Sequence, residues 1–187
     1  MSLRTWALSL ALAGLVSPVA MADSLNMDFK AKILAETCTF AATSQSFDFG
    51  SNIFPQNILN KNVTATHEIS VSSCTAAPQN IKFYLTPVSG SNTATDVDNH
   101  TVLSTKESNA GFGILVQLVV TDGAGTASSL TPLPFSIDNA LDFSKRNMSG
   151  GKIRLDATLM PLKDSNYGAA LRTGAFTAAA TLNIVYY

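Results

Sequence analysis

Two histidines, two cysteines and one acidic run are the residues of this 187-residue chain whose types invite chemistry. His67 and His100 form no H-x-H or H-E-x-x-H spacing, and isolated histidines are ordinarily hydrogen-bonded structural residues. His67 falls on the apolar parity of its segment, which predicts a core or interface position. His100 sits in "SNTATDVDNHT", a solvated loop by composition. Asp96, Asp98 and Asn99 in that run are oxygen donors, but the calcium-loop pattern fails because His100 and Thr101 stand at its fifth and sixth positions. Gly123 to Ser128, "GAGTAS", has two glycines of a dinucleotide fingerprint without the third or a following helix, so a hairpin turn explains it. No G-x-S-x-G elbow anchors a serine hydrolase. The expectation is a protein that is not an enzyme and uses no cofactor and no metal.

Cys38 and Cys74 lack the C-x-x-C spacing of a zinc knuckle. Their redox state follows from the compartment, and the first 22 residues read as an export leader. Arg4 precedes the apolar run "WALSLALAGLV", and Ala20-Met21-Ala22 fits the small-x-small rule for cleavage between Ala22 and Asp23. The run is too short to span a bilayer comfortably. In an oxidising compartment the default for Cys38 and Cys74 is a disulfide, contributing on the order of 4 kcal/mol through unfolded-state entropy. The formal net charge is −1, so the chain offers no basic footprint for nucleic acid or anionic lipid. Its single tryptophan, Trp6, lies in the leader.

The elements that must carry these residues alternate with period two. "LNMDFKAKI" sets Leu25, Met27, Phe29, Ala31 and Ile33 on one face and Asn26, Asp28, Lys30 and Lys32 on the other. "VTATHEISV" and "IKFYL" alternate likewise, as do "LPFSI" (Leu133, Phe135, Ile137) and "KIRLDATL" (Ile153, Leu155, Ala157, Leu159). "GILVQLVVT" is nearly apolar throughout, as a strand covered on both faces is. "PVSGSN", "TDGAGT", "MSGG" and "KDSNYG" are turn chemistry. No capped helical period exceeds a turn or two. Short strands in an exported chain with one cysteine pair predict an all-β sandwich of immunoglobulin-like type.

The last segment, "GAFTAAATLNIVYY", repeats the opening pattern, with Ala178, Ala180, Leu182, Ile184 and Tyr186 on one face. Gly174 stands fourteenth from the C-terminus and Tyr186 is penultimate. Upstream, "DFKAKILAETC" runs an amphipathic segment into the first cysteine, and "ISVSSC" leads to the second. Together these features resemble subunits of bacterial pili assembled by the chaperone–usher route, of the type 1 pilin family.

That resemblance implies an incomplete immunoglobulin-like sandwich, completed by a donor strand from another subunit. It implies residues 1–22 as signal peptide, 23–34 as a donor-strand extension and 35–187 as the pilin domain. Leu25, Met27, Phe29, Ala31 and Ile33 would fill a neighbour's groove, with Ala31 where the family usually carries glycine. Gly174, Ala178, Ala180, Leu182, Ile184 and Tyr186 would border this chain's own groove, the edge that a chaperone recognises. Cys38–Cys74 would pin the first strand to its neighbour. The implied partners are a periplasmic pilus chaperone, an outer-membrane usher and neighbouring pilin subunits, with a host receptor reached through the assembled pilus and no nucleic acid. The implied place is the fimbrium on the bacterial surface, reached through the periplasm, where the subunit supports adhesion. Two alternatives stand beside it. One is a minor tip pilin or secreted module that itself binds a host receptor or glycan; the other is a self-contained sandwich whose N-terminal strand pairs within its own chain.

Overall fold

The structure is a computed structural model that describes residues 38–41, 46–49, 53–75, 80–88, 90–105, 111–144, 146–163 and 178–187. The chain divides into two compact units, Met1–Ile33 and Leu34–Tyr187, and every described residue lies in the second. The described elements are β1 (Cys38–Phe40), α1 (Pro55–Leu59), β2 (Thr64–Cys74), β3 (Asn80–Pro87), β4 (Ser91–Thr95), β5 (Thr101–Thr105), β6 (Phe112–Thr121), β7 (Thr131–Pro132), β8 (Leu141–Ser144), β9 (Lys152–Pro161) and β10 (Ala180–Tyr186), with a 3-10 turn at Ile137–Asn139.

The strands form two antiparallel sheets. The larger runs β1-β2-β9-β6-β5-β4, with β7 added beside β6; the smaller runs β10-β3-β8. Side chains that alternate in sequence meet between the sheets, as period two requires. Ile69 and Val71 of β2, Leu118 and Val120 of β6, and Ile153, Leu155, Ala157 and Leu159 of β9 are buried in the same core as Ile81, Phe83 and Leu85 of β3. The all-β sandwich expected from the alternation is the fold observed.

β6 explains its continuous apolar run. One face enters the main core, while Leu115 packs with Val102 and Met160 in a second cluster. Gly113 serves that second packing, since a Cβ there would sit 2.6 Å from Val102 Cγ2 and 2.9 Å from the Leu103 carbonyl oxygen. The turn reading of "TDGAGT" also has a cause in the structure. The Asp122 carboxylate accepts from the Ala124 and Thr126 N–H groups, and Gly125 takes φ +84°.

One expected strand does not form where its pattern lies. "LPFSI" itself is not strand; the two residues before it, Thr131–Pro132, pair with β6. Leu133 is buried, but Ile137 is 52% exposed in the 3-10 turn. Pro132 and Pro134 have no N–H to give a ladder, and Ser136 caps the turn by accepting from the Asp138 N–H. The alternation there reports burial at Leu133 and partly at Phe135, which packs on the core, but not at Ile137.

Candidate functional site: the open edge of the C-terminal strand

β10 borders the smaller sheet and pairs only with β3 among the described residues. Its register is Ala180 to Pro87 through Tyr186 to Ile81. Just outside its ends, Val88 donates to the Ala179 carbonyl and Tyr187 donates to the Asn80 carbonyl. Hydrogen-bonded and non-bonded pairs alternate in an antiparallel ladder. The odd-numbered residues of β10 therefore direct their backbone groups to β3. The even-numbered ones, Ala180, Leu182, Ile184 and Tyr186, direct theirs to the outer edge.

The same even-numbered residues carry the apolar side chains. Ala178, Ala180, Leu182, Ile184 and Tyr186 all pack against the main core, yet every one is only partly buried. Their partners across the ladder, Ile81, Phe83 and Leu85, are 0–4% exposed. So one strand of the core is sealed and the next, turned the same way, is open. Four residues thus combine apolar side chains with backbone groups that pair with no strand among the described residues.

The first strand closes in from the other sheet. Cys38 lies directly across from Cys74 in the β1–β2 ladder, and the two form a disulfide with Cα atoms 3.9 Å apart. Tyr186 reaches toward this point. Its hydroxyl is out of contact with solvent and makes no complete hydrogen bond. Burial raises the phenol pKa above 10.0, and the nearby Cys38 backbone pulls it partly back. Among the described residues nothing accepts this hydroxyl's proton, and a buried hydroxyl so placed is uncommon.

Beyond β1, Ser46–Phe49 belongs to neither sheet and alternates in burial, with Phe47 and Phe49 turned partly into the core and Ser46 and Asp48 outward. His67 holds it. Its Nε2 donates to the Ser46 carbonyl at 2.6 Å, and its ring meets Phe47 edge to face at 4.9 Å. The expectation of a hydrogen-bonded structural histidine on an apolar face describes what is seen. Phe47 and Phe49 carry no strong signal in the sequence. Their pattern is the alternation "SFDF", which is too short to stand out as a strand.

The C-terminal residue is held on the outer face of the smaller sheet. Tyr187 donates its hydroxyl proton to the Asp142 carboxylate, and Lys82 Nζ lies 4.6 Å over its ring. The Asp142 hydrogen bond, with smaller effects of burial and charge, raises the Tyr187 pKa above 10.0.

The acidic run is a folded turn. Asp96 is fully buried, and its carboxylate accepts from the Asp98 and His100 N–H groups at 2.9 and 2.8 Å and faces His100 Nδ1 at 3.1 Å. Asp96, Asp98 and His100 place ligand atoms within 4.8 Å of one another. Lys61 already pairs with Asp98, and Lys163 donates to Asn99 Oδ1 at 2.7 Å. The cluster thus ties the β4–β5 connection to the chain after α1 and after β9. His100 is half-buried at this turn rather than in a fully solvated loop.

Of the site residues expected from sequence, Ala178, Ala180, Leu182, Ile184 and Tyr186 share one face of one edge strand, and Cys38–Cys74 adjoins its end. Leu25, Met27, Phe29, Ala31, Ile33, Gly174 and the Ala22–Asp23 junction lie outside the described residues.

No curated protein matches the chain. Among solved structures, the rod subunit of the P pilus, PapA, is similar at 19% identity with a TM-score of 0.46, covering 80% of this chain and 99% of that one. The model of a protein family described as "Fimbrial protein" matches residues 27–187, nearly the whole chain. The chain belongs to the fimbrial protein family.

Proposed function

We propose that this chain, as a structural subunit of a pilus, polymerises by donor-strand exchange. Residues 25–33 of one copy occupy the open edge of β10 in its neighbour, and the same edge of the first copy accepts the strand of the next. The observation that carries this reading is the pairing of half-buried apolar side chains and unused backbone groups on Ala180, Leu182, Ile184 and Tyr186. An alternating strand supplies what that edge lacks. Leu25, Met27, Phe29, Ala31 and Ile33 provide five apolar positions to set against Ala178, Ala180, Leu182, Ile184 and Tyr186.

The magnitudes favour a stable joint. Burying Leu25, Met27, Phe29 and Ile33 gives a gross gain of about 6–12 kcal/mol, at about 1.5–3 kcal/mol per side chain. Backbone hydrogen bonds along the inserted strand add to this, while lost association entropy subtracts. Before exchange the open edge is an aggregation hazard, which is the physical need that a periplasmic chaperone meets. Residues 1–22 direct export, an outer-membrane usher passes the subunit outward, and the fimbrium on the bacterial surface supports adhesion, a host receptor being engaged through the assembled pilus. The chemistry is association alone; no residue of the site acts as a nucleophile, acid or base.

The test is thermal unfolding of the mature chain, released from its chaperone, with and without a synthetic peptide of residues 23–37. A large rise in melting temperature and very slow peptide release are expected. An already stable chain that ignores the peptide would show that the edge is closed from within.

A further inference from the structure

A side chain of β2 reaches across to the chain that follows β1. β1 follows β2, with a shift of register between Thr39 and Phe40, as far as the hydrogen bond from the Ala41 N–H to the Ser70 carbonyl. Further along the same flank of β2, Ser46–Phe49 alternates inward and outward, the period of an extended chain, but lies in neither sheet. His67 of β2 contacts it there, through the 2.6 Å bond to the Ser46 carbonyl and the ring contact with Phe47. A carbonyl only accepts, so Nε2 carries the proton. Phe47 and Phe49 pack on the same core as the open face of β10, and β1 meets β10 where Tyr186 reaches the Cys38 backbone.

We propose that His67 is a positioning residue for strand uptake. Its imidazole latches Ser46–Phe49 in extended form, so that this segment stands as a preformed second wall for the peptide strand entering beside β10. The occupant is an apolar-alternating peptide strand from a second copy of this chain, residues 25–33, and the inference rests on the donor-strand reading above. An aliphatic residue at position 67 would fill the same space but leave the Ser46 carbonyl without its donor. The wall would then have to be ordered at the moment of binding, which slows capture.

The experiment follows capture of a fluorescent peptide of residues 23–37 by the full mature chain delivered from its chaperone complex. Wild type, His67→Leu and His67→Gln are compared, with amide exchange at Phe47–Phe49 measured in each. Gln keeps an N–H donor; Leu keeps only bulk. His67→Leu is expected to capture the peptide about threefold to tenfold more slowly, the loss of one ordinary hydrogen bond, and to exchange Phe47–Phe49 faster by a similar factor. His67→Gln is expected to restore most of both. Should His67→Leu fail to accumulate as folded protein, His67→Met removes the donor while keeping a flexible apolar chain. Capture and exchange at wild-type rates in the Leu or Met variant would overturn the latch while leaving strand uptake intact. A wild-type chain that captures no peptide would instead overturn the donor-strand reading, and the latch with it.

Discussion

Tyr186 and Tyr187 stand side by side at the end of the chain and are held in opposite ways, one by burial, the other by an exposed hydrogen bond to Asp142. Both phenols titrate above 10.0 in the folded chain. A raised phenol pKa means that folding favours the neutral form, so the stabilisation is complete below about pH 10 and is lost as pH rises through the folded values. Chemical denaturation from about pH 8 to about pH 11, a range that brackets the ordinary phenol pKa, is expected to show stability falling on the alkaline side. Tyr186→Phe and Tyr187→Phe should each flatten that limb; an unchanged limb in both would assign it to other groups. Near neutral pH, Tyr186→Phe is expected to change the stability of the unoccupied chain by no more than about 1 kcal/mol, because the hydroxyl has at most the approach of the Cys38 backbone to lose. The disulfide is the stronger fixture. Replacing Cys38 and Cys74 together by serine should cost about 4 kcal/mol from loop-closure entropy, read as a lower urea midpoint.

Elements differ in how plainly the sequence announces them. β2 and β3 follow their alternation over most of their length, and β9 follows it as far as Leu159, because each has one face on the core and a more exposed opposite face. β6 loses that alternation because Leu115 and its neighbours are packed on the second face as well. Leu133–Ile137 keeps the pattern without the strand, since two prolines withhold the donors that a ladder needs. Ser46–Phe49 is the reverse case, an extended segment whose pattern is only four residues long. Its role depends on His67, twenty-one residues away in sequence, and no local signal carries that contact. The face of β10 is legible from sequence, but its openness is not, because period two does not say whether the next strand is present. A paired substitution measures that openness. Leu155→Ala, in the sealed core of β9, is expected to cost about 2–5 kcal/mol. Leu182→Ala on β10 should cost clearly less in the unoccupied chain and approach the same range once a strand has been taken up. Equal costs in the unoccupied chain would mean that Leu182 is already sealed.

For the whole molecule, the fold is a sandwich with one strand edge whose apolar face and backbone groups both lack cover among the described residues, in a chain that belongs to the fimbrial protein family. The amphipathic segment Leu25–Ile33 has the matching need in its sequence, an apolar face that calls for a partner. Polymerisation, as proposed, joins the two, and no bond-making chemistry is needed. The measurement that bears most directly on this is residue-resolved amide hydrogen exchange on β10, compared between the unoccupied mature chain and the assembled polymer. The account predicts an alternation in the unoccupied chain: slow exchange at Thr181, Asn183 and Val185, whose N–H groups face β3, and fast exchange at Ala180, Leu182, Ile184 and Tyr186. Assembly should then slow those four together. Uniformly slow exchange along β10 before assembly would contradict the account, because the edge that is meant to receive a strand would already be paired.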